Sequence, residues 1–319
     1  MTIPITSPRR PLISAKQFAL IEEATEIEQE AASKAGAIGY LARMLVQVTM
    51  PHSRQGGSEF TRSNGGFSVT MLAASRYGLP YGTVPRLLLA WMTTEAVRTK
   101  ESTLTLGRNL SEFLSSLGYA STGGKNGSIG RVNRQMESLF RCMVSWSYQD
   151  KSRSAGQNIL IADEYELAWD PKREEQSPLW NSTVTLGRRF FEEITQRPVP
   201  IDMRALRALR GSSMRIDIYN WLTHRMSYLE QATMIPWEAL QYQFGADYHL
   251  DIQGRRNFRR NFLLQLRAVL TVYFSARVKH DEKGLILLPS PTHIPRVEKK
   301  NTHNRYRPHI SIRAFPYTS

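Results

Sequence analysis

The 319-residue chain is 41% hydrophobic and 22% charged, the balance of a soluble globular protein with room for one large domain or two ordinary ones. Its net charge of +14 and pI of 10.0 favour a polyanionic partner. A single cysteine excludes an intramolecular disulfide and a cysteine-rich zinc site, and no stretch approaches the roughly 18 to 20 apolar residues of a membrane span, so a cytoplasmic protein is expected.

In chain order, MTIPITSPRRPLIS lacks an apolar run of secretory length. Residues 1–37 read as an acidic arm. Within it SAKQFALIEEATEIEQEAASKAG favours helix, with Phe18, Ile21 and Ile27 as sparse apolar anchors, and serves either as a flexible arm or as a helix for a partner. Glu22, Glu23, Glu26, Glu28 and Glu30 form a solvated acidic face, not a catalytic pair. The glycine, serine and asparagine of PHSRQGGSEFTRSNGG predict a loop.

Two similar successions follow, each a helix, a short strand, a helix, a glycine turn, a longer amphipathic helix and a β-hairpin. In the first, Pro85 opens PRLLLAWMTTEAVRT near a first helical position, and STLTLG is a strand. Asn109 caps LSEFLSSLG, with Glu112 three residues on and Gly118 as the stop. Gly127 leads into SIGRVNRQMESLFRCM, whose Val132, Met136, Leu139, Phe140 and Met143 line one face while Arg131, Arg134 and Arg141 point away. VSWSYQD and NILIADEYELAWD, joined by KSRSAGQ, read as the hairpin. DPKREEQSPLWN, residues 170–181, interrupts the pattern and is the expected domain boundary.

In the second succession Ser212 or Ser213 caps MRIDIYNWLTHRMSYL, ATMI is the strand, and Pro236 opens PWEALQYQFG. GRRNFRRNFLLQLRAVL is the long helix, and VYFSARVKH and LILLPS, turned by DEKG, form the hairpin. An ungapped offset of 127 residues superposes Leu117 on Phe244, Gly118 on Gly245, Gly127 on Gly254, Leu139 on Leu266, Met143 on Leu270 and Trp146 on Tyr273.

In that long helix Phe258, Phe262, Leu266, Val269, Leu270 and Tyr273 make one apolar stripe, with Arg256, Arg260 and Arg267 opposite. Arg255 and Arg259 turn toward the apolar side, which suits a first turn that overhangs its own domain. Taken alone, the cluster is either a solvated basic face or a surface that reads nucleic acid. The charge distribution leans to the second: residues 1–181 carry 20 Lys+Arg against 17 Asp+Glu, and residues 182–319 carry 22 against 11.

The order of elements is that of a winged helix-turn-helix, in which the third helix enters the major groove and the hairpin follows the backbone. The expected fold is α+β, mainly α with small β-hairpins, as two tandem winged-helix modules: an arm at 1–37, a first module at 38–170, a linker at 171–181, a DNA-binding module at 182–290, and a basic, proline-containing, loosely ordered tail at 291–319. Arginine pairs with guanine and asparagine with adenine, so Arg255, Arg256, Asn257, Arg259, Arg260 and Asn261 are the candidate base and phosphate readers. Arg277, Lys279 and Lys283 on the second hairpin either contact phosphate or protect a sheet edge. Lys125, Arg131 and Arg134 occupy the corresponding part of the first unit, whose small net charge suits weaker DNA contact or dimerisation.

Other signals fail. In GYASTGGKNGS the order differs from a phosphate-binding loop, since Lys125 is followed by Asn126. The seven histidines show no metal-ligand spacing, His224 and Trp91, Trp221 and Trp237 are expected to pack, and no cofactor, metal or catalytic residue is predicted. A tyrosine-dependent nicking enzyme would lack metal ligands.

The runs GLPYGTVPRLLLAWMTTEAVRT, SLGYASTGGKNGSIGRVNRQMESLFR, PVPIDMRALRALRGSS, DIYNWLTHRMSYL and IPWEALQYQFGADY, within about residues 38–290, resemble the plasmid-encoded replication initiators of the RepA type. The resemblance implies a bacterial plasmid protein that binds repeated origin sites (iterons), helps open adjacent A·T-rich DNA and recruits the host helicase and chromosomal initiator. It also implies an N-terminal module for homodimerisation and a C-terminal one that grips the repeat. Composition equally fits a repressor or partition factor with the same reading head.

Overall fold

The computed structural model describes residues 14–295 apart from 44–45, 47–48, 65–66, 75, 108–109, 125–126, 168–181 and 197. Asn109, Lys125, the expected linker at 171–181, the first 13 residues of the arm and residues 296–319 of the tail lie outside the described residues. The described residues form nine helices and four small antiparallel sheets, an α+β fold.

The first part runs α1 (Ala15–Gln29), β1 (Ile38–Leu41), β2 (Glu59–Asn64), β3 (Phe67–Ala73), α2 (Thr83–Thr99), β4 (Thr103–Thr105), α3 (Leu110–Ser116), α4 (Ser128–Phe140), β5 (Cys142–Gln149), β6 (Ser154–Leu160), β7 (Ala162–Glu166), β8 (Thr183–Leu186) and α5 (Arg188–Gln196). Helix α2 is buried along most of its length, with Leu87, Leu88, Ala90, Met92 and Ala96 in the core. Gly118 takes a φ of +79° after α3, the left-handed conformation that stops the helix.

Three expectations are corrected here. The stretch predicted as loop contains β2, which pairs with β3 from Glu59↔Leu72 to Asn64↔Phe67; Phe60 is its one buried apolar residue, too little for a strand signal. The hairpin after α4 is β5–β6, joined to β2–β3 in a sheet of order β2-β3-β5-β6, while the residues predicted to extend its second strand form a separate strand, β7. That strand pairs with β8 in a sheet of order β4-β8-β7, so the expected boundary at 170–181 falls between partners of one sheet, and α5 packs against α2 and β6 of the same unit. Prolines and charges mark a connection equally well whether it joins two domains or two strands. Cys142, the first residue of β5, is buried, and desolvation pushes its thiol up to about 12.

The chain continues with β9 (Val199–Asp202), α6 (Met203–Ala208), α7 (Ser213–Met226), β10 (Thr233–Pro236), α8 (Trp237–Phe244), α9 (Ile252–Val272), β11 (Arg277–His280) and β12 (Gly284–Leu288). Strands β10, β12 and β11 form a sheet in that order, and β9 pairs with β1. The offset of 127 holds only through Phe140. There α4 ends and the chain becomes β5, whereas α9 continues to Val272; Met143 and Trp146 are strand residues and Leu270 is helical.

The arm is docked from Ser14 onward. Ser14 and Gln17 form a capping box, and α1 packs on α9 and α6 through Leu20, Ala24 and Ile27, spaced to share one face. Phe18 and Ile21, two of the three predicted anchors, are exposed instead, because the small Ala24 completes the buried stripe. Residues 291–295 of the expected loose tail are also held. His293 Nδ1 lies 2.7 Å from the Tyr219 hydroxyl, its ring stacks on Tyr273 at 4.9 Å, and the Tyr273 hydroxyl donates to Pro291 O at 2.7 Å.

The two halves share one continuous core, and α2 meets α7 within it. Across that contact buried Arg86 donates from Nε to Asp217 Oδ1 and from Nη2 to Oδ2, both at 2.7 Å. Its remaining donors reach Met50 O, Pro51 O and Gly82 O at 2.7, 3.2 and 2.6 Å, and His52 Nε2 lies 2.8 Å from Asp217 Oδ2. Burial opposes ionisation of Asp217, but Arg86 and His52 outweigh it and hold the carboxyl below its ordinary value. Replacing one partner strands a buried charge, so Arg86→Leu is expected to lower stability by about 3–5 kcal/mol in denaturant titrations, and Arg86→Leu combined with Asp217→Leu by less than the two single changes summed.

Burial pushes both His224 and His293 down to about 4; Arg43 and Arg225 add to the effect on His224, and Asp202 partly opposes it on His293. Both stay neutral in the fold while the unfolded chain binds protons below about 6.5. Their stabilising contribution is therefore full above about 6.5 and declines as pH falls toward about 4. Denaturant titrations from pH 7 to 4.5 should show that decline, and His293→Phe should make it shallower.

Candidate nucleic-acid interface

Helix α9 begins at Ile252, ahead of the predicted start after Gly254. Asp251 caps it, accepting the Gly254 N–H at 2.6 Å. Gly254 is required by space: a Cβ there would lie 2.1 Å from His249 O, and a Cβ on Gly127, its counterpart before α4, would lie 2.2 Å from Thr122 O. Each glycine lets a long helix start tight against the carbonyl five residues earlier. Phe258, Phe262, Leu266, Val269 and Tyr273 are buried as predicted, and Leu270 is half-buried.

The six predicted readers divide into groups. Arg255, Arg256 and Arg260 are exposed on the first turns. Arg255 Nε folds back to Leu250 O at 3.0 Å, Arg260 Nη2 reaches Asn257 Oδ1 at 3.2 Å, and Arg256 has no hydrogen-bond or ion-pair partner among the described residues. Half-buried Asn257 also accepts from Gln253 at 3.2 Å. Asn261 is engaged inside the fold, donating to the Tyr248 hydroxyl at 2.7 Å and accepting from Gln265 at 3.0 Å. Arg259 is half-buried: its guanidinium lies 5.1 Å from the Trp237 ring centroid and donates to Asp281 O at 2.8 Å.

Trp237 Nε1 donates to the same Asp281 carbonyl at 3.0 Å. The turn between β11 and β12 is thereby tied to α8 and α9 together. The Asp281 carboxylate accepts the Gly284 and Lys283 N–H groups, which hold it below the usual carboxylate range and close the turn. Arg277, Lys279 and Lys283 are exposed along this hairpin, with Arg277 Nη2 also donating to Pro289 O. Sequence reasoning missed this clamp because its acceptor is a backbone carbonyl; Trp237 beside a cationic helix was the only available signal.

The first unit also reaches this head. Arg62 of β2 donates from Nη2 to Gln241 O at 2.9 Å and to Tyr242 O, in the last turn of α8, and Thr49 Oγ1 donates to Gln243 O. Burial lowers the Arg62 pKa, opposed by Asp247. On the first unit's own long helix Arg131 and Arg134 are exposed, with the Arg131 guanidinium 5.1 Å from the Tyr119 ring centroid. Among the described residues no group of three or more His, Cys, Asp or Glu could hold a metal, and no helix is long and apolar enough to cross a membrane.

The arrangement is a cationic helix tip beside a cationic hairpin, on a half whose α7 is tied to α2 by the buried Arg86–Asp217 pair. Residues 79–239, just over half of the chain, match the family described as plasmid encoded RepA protein, and the chain belongs to that family of replication initiators. Two solved structures of domains 2 and 3 of RctB are similar, each at 11% identity and covering 76% of this chain and 94% of the RctB chain. The selenomethionine derivative gives a TM-score of 0.50 and the other structure 0.46; at this identity the likeness concerns the fold alone. No curated protein matches the chain.

If Arg259 and Trp237 hold the hairpin turn, Arg259→Met should raise amide exchange at residues 281–284 by about tenfold, for one lost charge-assisted bond, while exchange in the α2 core stays unchanged.

Proposed function

We propose that this chain initiates plasmid replication by binding repeated duplex sites at the origin through two winged-helix modules, the second gripping the major groove with the first turns of α9. The observation that carries this reading is the exposure of Arg255, Arg256 and Arg260 at one end of a helix whose other face is core, beside exposed Lys279 and Lys283 on the hairpin. A helix of 21 residues spans about 30 Å, so one end can lie in a groove while the rest stays packed. The sheet orders β10-β12-β11 and β4-β8-β7 support the pairing of modules: in each the strand between the first two helices meets the last strand of its unit. The first unit, with Arg131 and Arg134, then contributes a weaker DNA contact or a homodimer surface.

This reading assigns no bond-breaking step to the chain. Bending a site of 20 to 30 base pairs costs on the order of 1 to 6 kcal/mol, within reach of several charge-assisted contacts. Sustained unwinding then falls to the host helicase and chromosomal initiator. For about 6 to 10 phosphate contacts, affinity should fall by about 10³ to 10⁵ between 50 and 200 mM salt in a filter-binding or anisotropy titration. Arg260→Ala should weaken specific binding by about 1 to 3 kcal/mol. A plasmid stripped of its initiator but carrying the repeats should replicate when this gene is supplied; binding without replication would identify a repressor or partition factor.

A further inference from the structure

Ile252, the first residue of α9, is 72% exposed, the most exposed large apolar side chain among the described residues, and Leu250 just before the Asp251 cap is 56% exposed. Helical spacing puts exposed Arg256 on the face of Ile252, at i+4, and exposed Arg255 leaves from the same first turn, while Arg259 at i+7 is held by Trp237 and the Asp281 carbonyl. The tip therefore leads with apolar surface fringed by guanidinium groups. Its amides are poor phosphate ligands, because the Asp251 carboxylate takes the Gly254 N–H and puts a negative charge at the helix N-terminus. Isolated aliphatic groups at such a leading edge stay in water unless a partner covers them. The cationic fringe selects a polyanion as that partner, and the apolar feature on the floor of a major groove is the thymine 5-methyl group.

We infer that Ile252 and Leu250 read thymine methyl groups, making A·T positions under the tip of α9 part of the recognised site. The inference rests on the DNA-reading role of α9 and adds a specificity that the arginines do not supply. It assigns to apolar contact what Asn261, held by Tyr248 and Gln265, is poorly placed to do by pairing with adenine.

The test uses the full chain and its footprinted origin repeat, with each thymine replaced in turn by deoxyuridine, which removes the methyl and keeps the base pair. At one or two adjacent positions the wild-type protein should lose about fourfold in affinity per methyl, the worth of one buried carbon. Ile252→Ala should bind the thymine duplex correspondingly more weakly and show no further loss on the uracil duplex; Leu250→Ala should behave likewise at a neighbouring position. Both sites are exposed, and circular dichroism with thermal melting confirms that each variant is folded. Wild-type affinity unchanged by every thymine-to-uracil replacement would overturn the inference, as would an Ile252→Ala variant that keeps the full uracil penalty. An Ile252→Ala variant with unaltered affinity for the thymine duplex would overturn it as well. If the wild type shows neither a footprint nor a salt-dependent affinity, the DNA reading of α9 itself fails, whereas a steep salt dependence with no uracil effect removes the methyl contacts alone.

Discussion

The arrangement of the molecule hangs on a buried charge pair. Arg86 lies on α2 and Asp217 on α7, and the guanidinium is saturated by the carboxylate and three backbone carbonyls. Such a pair adds little net stability over a well-packed apolar substitute, since desolvation offsets most of the attraction. What it supplies is direction. Apolar packing between α2 and α7 would tolerate sliding, whereas a two-pronged contact between planar groups has one good geometry. His52 and the carbonyls of Met50 and Pro51 extend the constraint to the connection leading into β2.

From that joint outward, each layer positions the next. The β2–β3 hairpin carries Arg62 to the end of α8; α8 carries Trp237 to Arg259; both hold the turn of the β11–β12 hairpin through one carbonyl. The exposed arginines Arg255, Arg256 and Arg260 thus leave from a helix whose angle to its hairpin, and to the body, is set by other groups. Pre-organisation of this kind would reduce the ordering cost of the duplex binding proposed above.

Much of the helical plan was legible in the sequence, because α4 and α9 are amphipathic, α2 and α7 are long, rich in apolar residues and buried on most sides, and all four have glycine or proline near their edges. Local signals also marked β4 and β10. The pairing of strands was not legible. β7 and β8 meet across a long connection whose prolines and charges look the same in a linker, and β2 buries one apolar side chain among polar neighbours. Charge placed the candidate surface on α9, but charge cannot tell an arginine pointing to solvent from one bound by its own fold. Arg256 and Arg259, three residues apart, differ for that reason: one faces water and the other lies against an indole ring. The exposed Ile252 escaped notice because the cap is Asp251, and a helix read as starting after Gly254 leaves the preceding turn out of view.

The lone thiol has a practical corollary. Cys142 is buried at the start of β5 and desolvation raises its pKa, so slow labelling by maleimides and other alkylating probes is expected in the native state. A cysteine engineered onto any exposed position is then the reactive one without first constructing a thiol-free background. Fluorophore or spin-label pairs across the α2–α7 junction can thus report directly on whether the two halves keep one spacing when duplex is added.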